Sequence, residues 1–203
     1  MHPDISQLPS RVFYRGLLKD GPGMAEKTAR TWHASNMFEP YRFFNILRGQ
    51  ETSGSSHSLM NKAEVQVAVA LYARLLREYS LVDFNFRVGV VSMYRAQILE
   101  LRRAFESRFG LDVTNHVDFN TVDGFQGQEK DIIILSCVRA GPGLQNVGFL
   151  SGTSRTLLGH AKLRPSRYSA YECCADPRAS LVICARALSY PGTKRQHMER
   201  YNI

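Results

Sequence analysis

The chain has 203 residues, of which 44% are hydrophobic and 22% charged, and a formal net charge of +8. This length and composition allow a sizeable core to be buried and predict one globular domain with irregular ends. No apolar run approaches about eighteen residues and the N-terminus shows no signal-peptide pattern, so we expect a soluble protein without a membrane span.

The positive charge is concentrated in the C-terminal quarter of the chain. Residues 151–203 hold 9 Lys or Arg against 3 Asp or Glu, whereas residues 1–150 hold 17 against 15. A basic surplus favours a polyanionic partner, because Lys and Arg contact phosphates and release counterions. The alternative is that the basic segment is only a solvated tail.

The cysteines point to a reducing compartment. The four of them, Cys137, Cys173, Cys174 and Cys184, contain no C-x-x-C pair, and two lie in predicted core strands as small hydrophobic residues. Disulfides are rare in the cytosol and nucleus, so one of these compartments is the simpler interpretation.

Residues 1–57 predict an entry segment of short strands and loops. Prolines at positions 3 and 9 indicate a loop that leads into a short apolar piece at Val12–Tyr14. The aromatic stretch at residues 40–46 is typical of a strand, and residues 48–58 form a Gly/Ser-rich loop.

Residues 62–79 predict a helix that faces the core. Asn61 is a candidate N-cap, and Glu64 three residues later completes a capping-box pattern. Apolar residues recur at spacings of three and four, at Val65, Ala68, Val69, Tyr72, Leu75 and Leu76. We interpret the charged residues Glu64, Arg74, Arg77 and Glu78 as the solvent-exposed face of this helix.

The next segments predict a parallel sheet. A short strand at residues 87–92 runs into a helix at residues 94–109, which Gly110 ends, and a second strand follows at residues 116–122. Strand, helix and strand in this order form a βαβ unit. A third strand, at residues 131–138, is apolar at nearly every position, as in sheets covered on both faces.

The loop at residues 123–130 is the candidate site. Gly124 and Gly127 allow backbone angles closed to other residues and a close approach by a ligand. This loop and Ser92–Tyr94 both follow strands, and in open α/β sheets ligands bind beyond the carboxyl ends of strands. By itself, however, a Gly- and Gln-containing loop between strands is a common surface turn.

Longer motifs give a family resemblance. T-V-D-G-F-Q-G-Q-E-K-D-I-I-I-L-S-C-V-R-A, from Thr121, resembles motif V and the following strand of Upf1-like superfamily 1 helicases, most closely in the senataxin group. S-M-Y-R-A-Q, from Ser92, resembles motif IV, with Met93 in place of the usual proline. M-H-P at the N-terminus and V-G-F-L at residues 147–150 resemble further family segments.

The resemblance implies which fold this chain has and which domain of a helicase it represents. It implies an α/β, RecA-like three-layer fold with a mostly parallel central sheet and helices on both faces. Residues 58–150 would be the core of the C-terminal, second RecA domain. ATP with Mg²⁺ would be bound jointly with a first RecA domain that lies outside these residues, and no metal ligand is assigned to this chain.

The resemblance also implies roles for individual residues. Glu129 would contact the nucleotide ribose, and Tyr94 would stack or hydrogen-bond near the ligand. The residues implied in nucleotide binding are Glu129, Gly127 and Gln128. Those implied in nucleic-acid binding are Thr121, Tyr94, Arg95 and Gln126.

Motif VI, with its catalytic arginines, is not recognisable. Residues 151–178 stand in its place, and their Gly, Pro and Cys content predicts a poor helix. Arg155 and Arg178 are the candidate replacements. We interpret this segment as a divergent insertion or a reading-frame artefact, followed by a final core strand at residues 179–187 and a frayed basic tail at residues 188–203.

Two functional hypotheses follow. One is the second RecA domain of a nuclear, or alternatively cytoplasmic, ATP-dependent RNA/DNA helicase that binds single-stranded RNA or DNA. The other is a truncated or degenerate helicase domain that binds nucleic acid or a protein without ATP turnover. The sequence contains no G-x-x-x-x-G-K-[ST] phosphate loop and no strand ending in Asp-Glu, so it predicts no ATPase activity from this chain alone.

Overall fold

The computed structural model describes residues 2–46, 49–53, 58–125, 128, 130–139 and 181–186. The α-helices in this part of the chain are α1 (Pro3–Phe13), α2 (Met24–Thr28), α3 (Lys62–Glu78), α4 (Arg95–Phe109) and α5 (Val113–His116). Short 3-10 turns occupy Thr31–Ala34 and Asp123–Phe125. The strands are β1 (Tyr41–Asn45), β2 (Thr52–Ser53), β3 (Leu59–Met60), β4 (Val88–Ser92), β5 (Val117–Thr121), β6 (Ile132–Ser136) and β7 (Leu181–Arg186).

Within the described residues, five parallel strands form the central sheet, in the order β1-β7-β6-β4-β5, while β2 and β3 form a separate antiparallel pair. Parallel neighbours require a crossover, and α4 provides the one between β4 and β5. The predicted α/β fold with a parallel sheet is confirmed. β7 lies between β1 and β6, within the span predicted for the last strand.

Both faces of the sheet are covered, which explains why its middle strands are apolar throughout. β4 and β6 are buried at all five of their positions. On one face, side chains of α3 and α4 pack with alternate strand residues, including Val88, Val90, Ile132 and Ile134. On the other face, Ile5 of α1 packs with a smaller cluster that includes Val91, Ile133 and Leu135.

The N-terminal residues form a helix, so the prediction of a loop there was wrong. Pro3 is the first residue of α1, where the missing N–H costs no intrahelical hydrogen bond, whereas Pro9 lies inside α1 and leaves one intrahelical hydrogen bond unmade. His2 caps the helix by accepting the Asp4 N–H at 3.3 Å. The burial of Ile5, which is 1% exposed, then fixes α1 against the sheet.

The two long helices match their predicted spans closely. Asn61 caps α3 as predicted, its side chain accepting the Glu64 N–H at 3.4 Å. Gly110 ends α4 with φ of +93°, a conformation that favours glycine. Arg77 and Glu78 are exposed as expected, whereas Glu64 is fully buried, so its assignment to the exposed face was wrong.

The entry segment is joined to the amino edge of the sheet by Asp131. This carboxylate accepts from Arg30 at 3.4 Å and from Arg87, which precedes β4. The Arg87 guanidinium also lies 5.4 Å from the ring centroid of Trp32, which is 1% exposed. The entry segment therefore packs into the same core as the sheet and the two long helices.

Candidate nucleotide and nucleic-acid interface at the carboxyl edge of the sheet

Three strands end side by side at the carboxyl edge of the sheet. Ser92, the last residue of β4, is in register with Thr121 of β5 on one side and with Ser136 of β6 on the other. From β4 the chain crosses to β5, whereas β6 and β7 lie on the opposite side of β4. The strand order thus reverses between β4 and β6, and such reversal points form ligand crevices in open α/β sheets.

Tyr94 and Arg95 lie at this edge, as predicted, but they differ in accessibility. Tyr94 is the N-cap of α4, its backbone N–H donates to Ser92 Oγ at 3.3 Å, and its side chain is buried. Arg95, the first residue of α4, is exposed. In this conformation Arg95 can reach a phosphate in solvent, whereas the Tyr94 ring is packed inside.

The Tyr94 hydroxyl lies beside Arg139, a residue that the sequence analysis did not assign to the site. Burial raises the pKa of the Tyr94 hydroxyl, and hydrogen bonding and positive charge from Arg139 oppose that rise. Arg139 Nε in turn lies 2.9 Å from Glu51 Oε2. The apolar run predicts a strand as far as Val138, but β6 ends at Ser136, and Arg139 lies beyond the strand.

Thr121 and the turn after it are held by local hydrogen bonds. Thr121 Oγ1 accepts the Gly124 N–H at 3.3 Å, and Asn120 Nδ2 donates to the Gly124 carbonyl at 2.8 Å. Gly124 does not have the positive φ that we expected. A Cβ at Gly124 would lie 2.2 Å from Asn120 Oδ1, so a larger residue would displace the Asn120 side chain from its hydrogen bond to the Gly124 carbonyl.

Gln128 is exposed, and its backbone N–H donates to the Phe125 carbonyl at 3.0 Å. The other predicted site residues, Gln126, Gly127, Glu129, Arg155 and Arg178, lie outside the described residues. Their roles remain predictions from the resemblance.

A buried hydrogen-bond network lies next to this edge of the sheet. Gln97 Oε1 accepts the Asn61 N–H at 2.8 Å, and Gln97 Nε2 donates to Asn61 O at 3.1 Å and to Ser136 Oγ at 2.8 Å. Ser136 Oγ donates to Glu64 Oε2 at 2.6 Å. Asn61, Glu64, Gln97 and Ser136 are all fully buried, so this network ties the starts of α3 and α4 to the end of β6.

The network corrects one prediction about Glu64. A capping box requires the Glu64 side chain to reach back to the Asn61 N–H, but that N–H donates to Gln97. A signal for burial was present in the sequence, because Glu64 lies four residues before Ala68 on the apolar stripe.

The described residues provide no grouped ligands for a metal. No three His, Cys, Asp or Glu side chains among them converge on a common point.

A protein-family model described as an AAA domain matches residues 1–158. The chain belongs to this AAA domain family. Helicase SEN1 of Saccharomyces cerevisiae is 45% identical over 157 residues, covering 76% of this chain and 7% of that protein. Helicase sen1 of Schizosaccharomyces pombe is 43% identical over 166 residues, covering 82% of this chain and 10% of that protein.

The chain is also similar to a more distant helicase. ATP-dependent helicase upf1 of Schizosaccharomyces pombe is 32% identical over 161 residues, covering 76% of this chain and 17% of that protein. Together these matches identify the chain as a Upf1-like superfamily 1 helicase domain with the RecA-like α/β fold. The chain spans only a small part of the length of these relatives.

The described part of this AAA domain has no helix with the length and apolar character needed to cross a membrane.

Proposed function

We propose that this AAA domain is the second RecA-like domain of an ATP-dependent RNA/DNA helicase. The carboxyl edge of its sheet would contact single-stranded nucleic acid and complete a nucleotide site whose other half belongs to a first RecA domain. The observation that carries this proposal is the alignment of Ser92, Thr121 and Ser136, which brings the two motif-bearing segments to one edge. Ligands of open α/β sheets bind at such an edge.

The proposed roles follow from position and chemistry. Arg95 is an exposed cation in the first turn of α4, where it can pair with a phosphate of a nucleic-acid strand. Thr121 carries a hydroxyl at the end of β5, beside the loop that includes Gln126. Glu129 would accept hydrogen bonds from the nucleotide ribose, as the family resemblance implies, with Gly127 and Gln128 beside it.

Binding of the nucleic acid and of the nucleotide would be shared between two domains. Binding of ATP would supply the free energy for closing the two RecA domains on the nucleic-acid strand, and its hydrolysis would reopen them. This chain would bind and orient the single-stranded nucleic acid and would contact one side of the nucleotide. Its sequence has no phosphate loop of the G-x-x-x-x-G-K-[ST] type, so we expect no hydrolysis from this chain by itself. A nuclear location, implied by the resemblance, belongs to the same proposal.

Replacing Arg95 by glutamine should weaken binding of a single-stranded RNA oligonucleotide and reduce its dependence on salt. Each phosphate contact to a single strand contributes a slope of about 0.7 to the plot of log K against log salt concentration. We therefore expect the slope to fall in magnitude by about 0.7 in Arg95→Gln. Fluorescence anisotropy with a labelled oligonucleotide, at salt concentrations from about 50 to about 200 mM, measures both effects.

Arg103→Gln is the matched control for Arg95→Gln, because Arg103 lies on the same helix with a side chain 75% exposed. It removes the same charge away from the proposed edge and should leave both affinity and slope unchanged. Equal losses in the two variants would show that only net charge matters and would count against a specific contact at Arg95. A parallel titration with single-stranded DNA would establish whether the domain prefers RNA or DNA.

A further inference from the structure

Val138 has an unusual backbone conformation at the candidate site. Its φ is +68°, in the left-handed region that β-branched residues rarely adopt. The Arg139 N–H donates to the Cys137 carbonyl at 2.7 Å, so residues 137–139 form a three-residue turn with Val138 at its centre. Val138 is fully buried. Strain of this kind persists only where the surrounding structure holds it in place.

The start of α3 holds both peptide groups of this turn residue. The Val138 N–H donates to Glu64 Oε2 at 2.9 Å, and Asn61 Nδ2 donates to the Val138 carbonyl at 3.1 Å. The same Glu64 oxygen accepts from Ser136 Oγ at 2.6 Å, which fixes the carboxylate to the end of β6. Hydrogen bonds to a carboxylate are stronger than those between neutral groups, particularly in a buried site.

The turn determines where the next side chain goes. Arg139 follows Val138, its side chain is 12% exposed, and it pairs with Glu51 while facing the Tyr94 hydroxyl. Tyr94 follows β4 and Arg139 follows β6. The two side chains therefore meet beyond the carboxyl ends of the paired strands β4 and β6, where the strand order of the sheet reverses.

We propose that Glu64 and Asn61 are positioning residues that hold the strained Val138 turn and thereby place Arg139 against Tyr94 at the reversal point of the sheet. The value of this placement to ligand binding rests on the proposed function and on the ligand contact that the family resemblance implies for Tyr94. The clamp itself, defined as Asn61, Glu64 and the Val138 turn, does not depend on that function.

The first test asks whether Glu64 holds strain. Glu64→Gln should lower the midpoint of urea unfolding, because a neutral amide oxygen accepts the Ser136 O–H and Val138 N–H more weakly than a carboxylate oxygen does, and the amide NH₂ cannot accept from Asn61 Nδ2 as Glu64 Oε1 does. Glycine adopts positive φ without strain, so Glu64→Gln should lower the midpoint by less than half as much when Val138→Gly is already present. An equal drop in both backgrounds would make Glu64 an ordinary buried partner and overturn the clamp.

The second test asks whether the clamp places Arg139. Tyrosines labelled with ¹³C at Cζ report the Tyr94 pKa by NMR, with Tyr94→Phe identifying the resonance. The pKa reflects burial, Arg139, Glu51 and Cys137, and of these Arg139 lowers it. Arg139→Gln should therefore raise the Tyr94 pKa further, and Glu64→Gln should shift it in the same direction. Adding Val138→Gly to Glu64→Gln should move the Tyr94 pKa back towards the wild-type value.

Controls keep both tests decisive. Arg103→Gln removes an exposed arginine from α4 and should leave the Tyr94 resonance unchanged. If Glu64→Gln does not fold, Val138→Gly and Arg139→Gln still test the turn and the contact separately. A Tyr94 pKa that changes in Arg139→Gln but not in folded Glu64→Gln would overturn the positioning role.

These measurements use the full chain without ATP or nucleic acid, so their outcome is independent of the proposed function. If both tests support the clamp but Arg139→Gln leaves RNA affinity unchanged, the clamp would stand, and a role of the Arg139–Tyr94 contact in ligand binding would be contradicted.

Discussion

Gln97→Leu should lower the free energy of unfolding by about 3–5 kcal/mol. Leucine has a similar size but can make none of the three hydrogen bonds that Gln97 makes with Asn61 and Ser136. Each buried polar group left without a partner costs about 1–3 kcal/mol. Gln97 is fully buried, so water cannot replace the lost partners without opening the core. Urea unfolding followed by circular dichroism measures the loss.

Gln66→Leu is the matched control for this prediction. Gln66 is also a helical glutamine, but it is exposed on α3, and its replacement should change stability by no more than about 0.5 kcal/mol. If Gln97→Leu costs no more than Gln66→Leu, the buried network does not hold the ends of α3, α4 and β6 together.

Gly89→Ala should lower the free energy of unfolding by about 1–3 kcal/mol, as overpacked core positions do. Gly89 is in β4, and a Cβ there would lie 2.5 Å from Phe125 Cζ and 3.1 Å from Ile133 Cδ1. Phe125 is 3% exposed, so its ring has little room to retreat. Since Phe125 ends the 3-10 turn that follows Thr121, the same substitution should also displace the candidate loop and weaken RNA binding.

Gly21→Ala separates the clash from the general effect of adding a methyl group. The nearest atom to a Cβ at Gly21 is Met24 Cγ at 3.6 Å, an ordinary contact, and stability should change by no more than about 0.5 kcal/mol. Full stability in Gly89→Ala would mean that the Phe125 ring repacks freely and does not fix the loop.

The regular elements were predictable because their burial follows local periodicity. The apolar spacing of α3 and α4 and the unbroken apolar run of β6 each identify their element within a few residues. The N-terminal helix was missed because Pro3 and Pro9 indicated a loop, although the first turn of a helix accepts proline and Pro9 lies inside α1.

The polar residues of the interior were the harder part of the prediction. Glu64 and Gln97 lie on apolar stripes, but their hydrogen-bond partner Ser136 is distant in sequence, so only the fold shows that they are satisfied when buried. The positive φ of Val138 likewise has no sequence signal, since a β-branched residue predicts an extended conformation. Arg139 was missed for the same reason.

The edge that carries the candidate site was predictable from topology. A strand followed directly by a helix places Tyr94 and Arg95 beyond the carboxyl end of β4, and parallel pairing brings Thr121 to the same edge. The sequence did not indicate that Tyr94 is buried against Arg139, since this contact joins two segments that each looked complete by themselves.

The most direct test of the central claim is to mix the chain with a separately produced first RecA domain of a superfamily 1 helicase and measure ATP hydrolysis with single-stranded RNA. We expect RNA-stimulated hydrolysis only in the mixture, with loss in Glu129→Ala and no change in Arg103→Gln. Hydrolysis by the chain alone would contradict a site shared between two domains. A mixture without stimulation, or one that Glu129→Ala leaves unaffected, would instead favour the degenerate domain that does not turn over ATP.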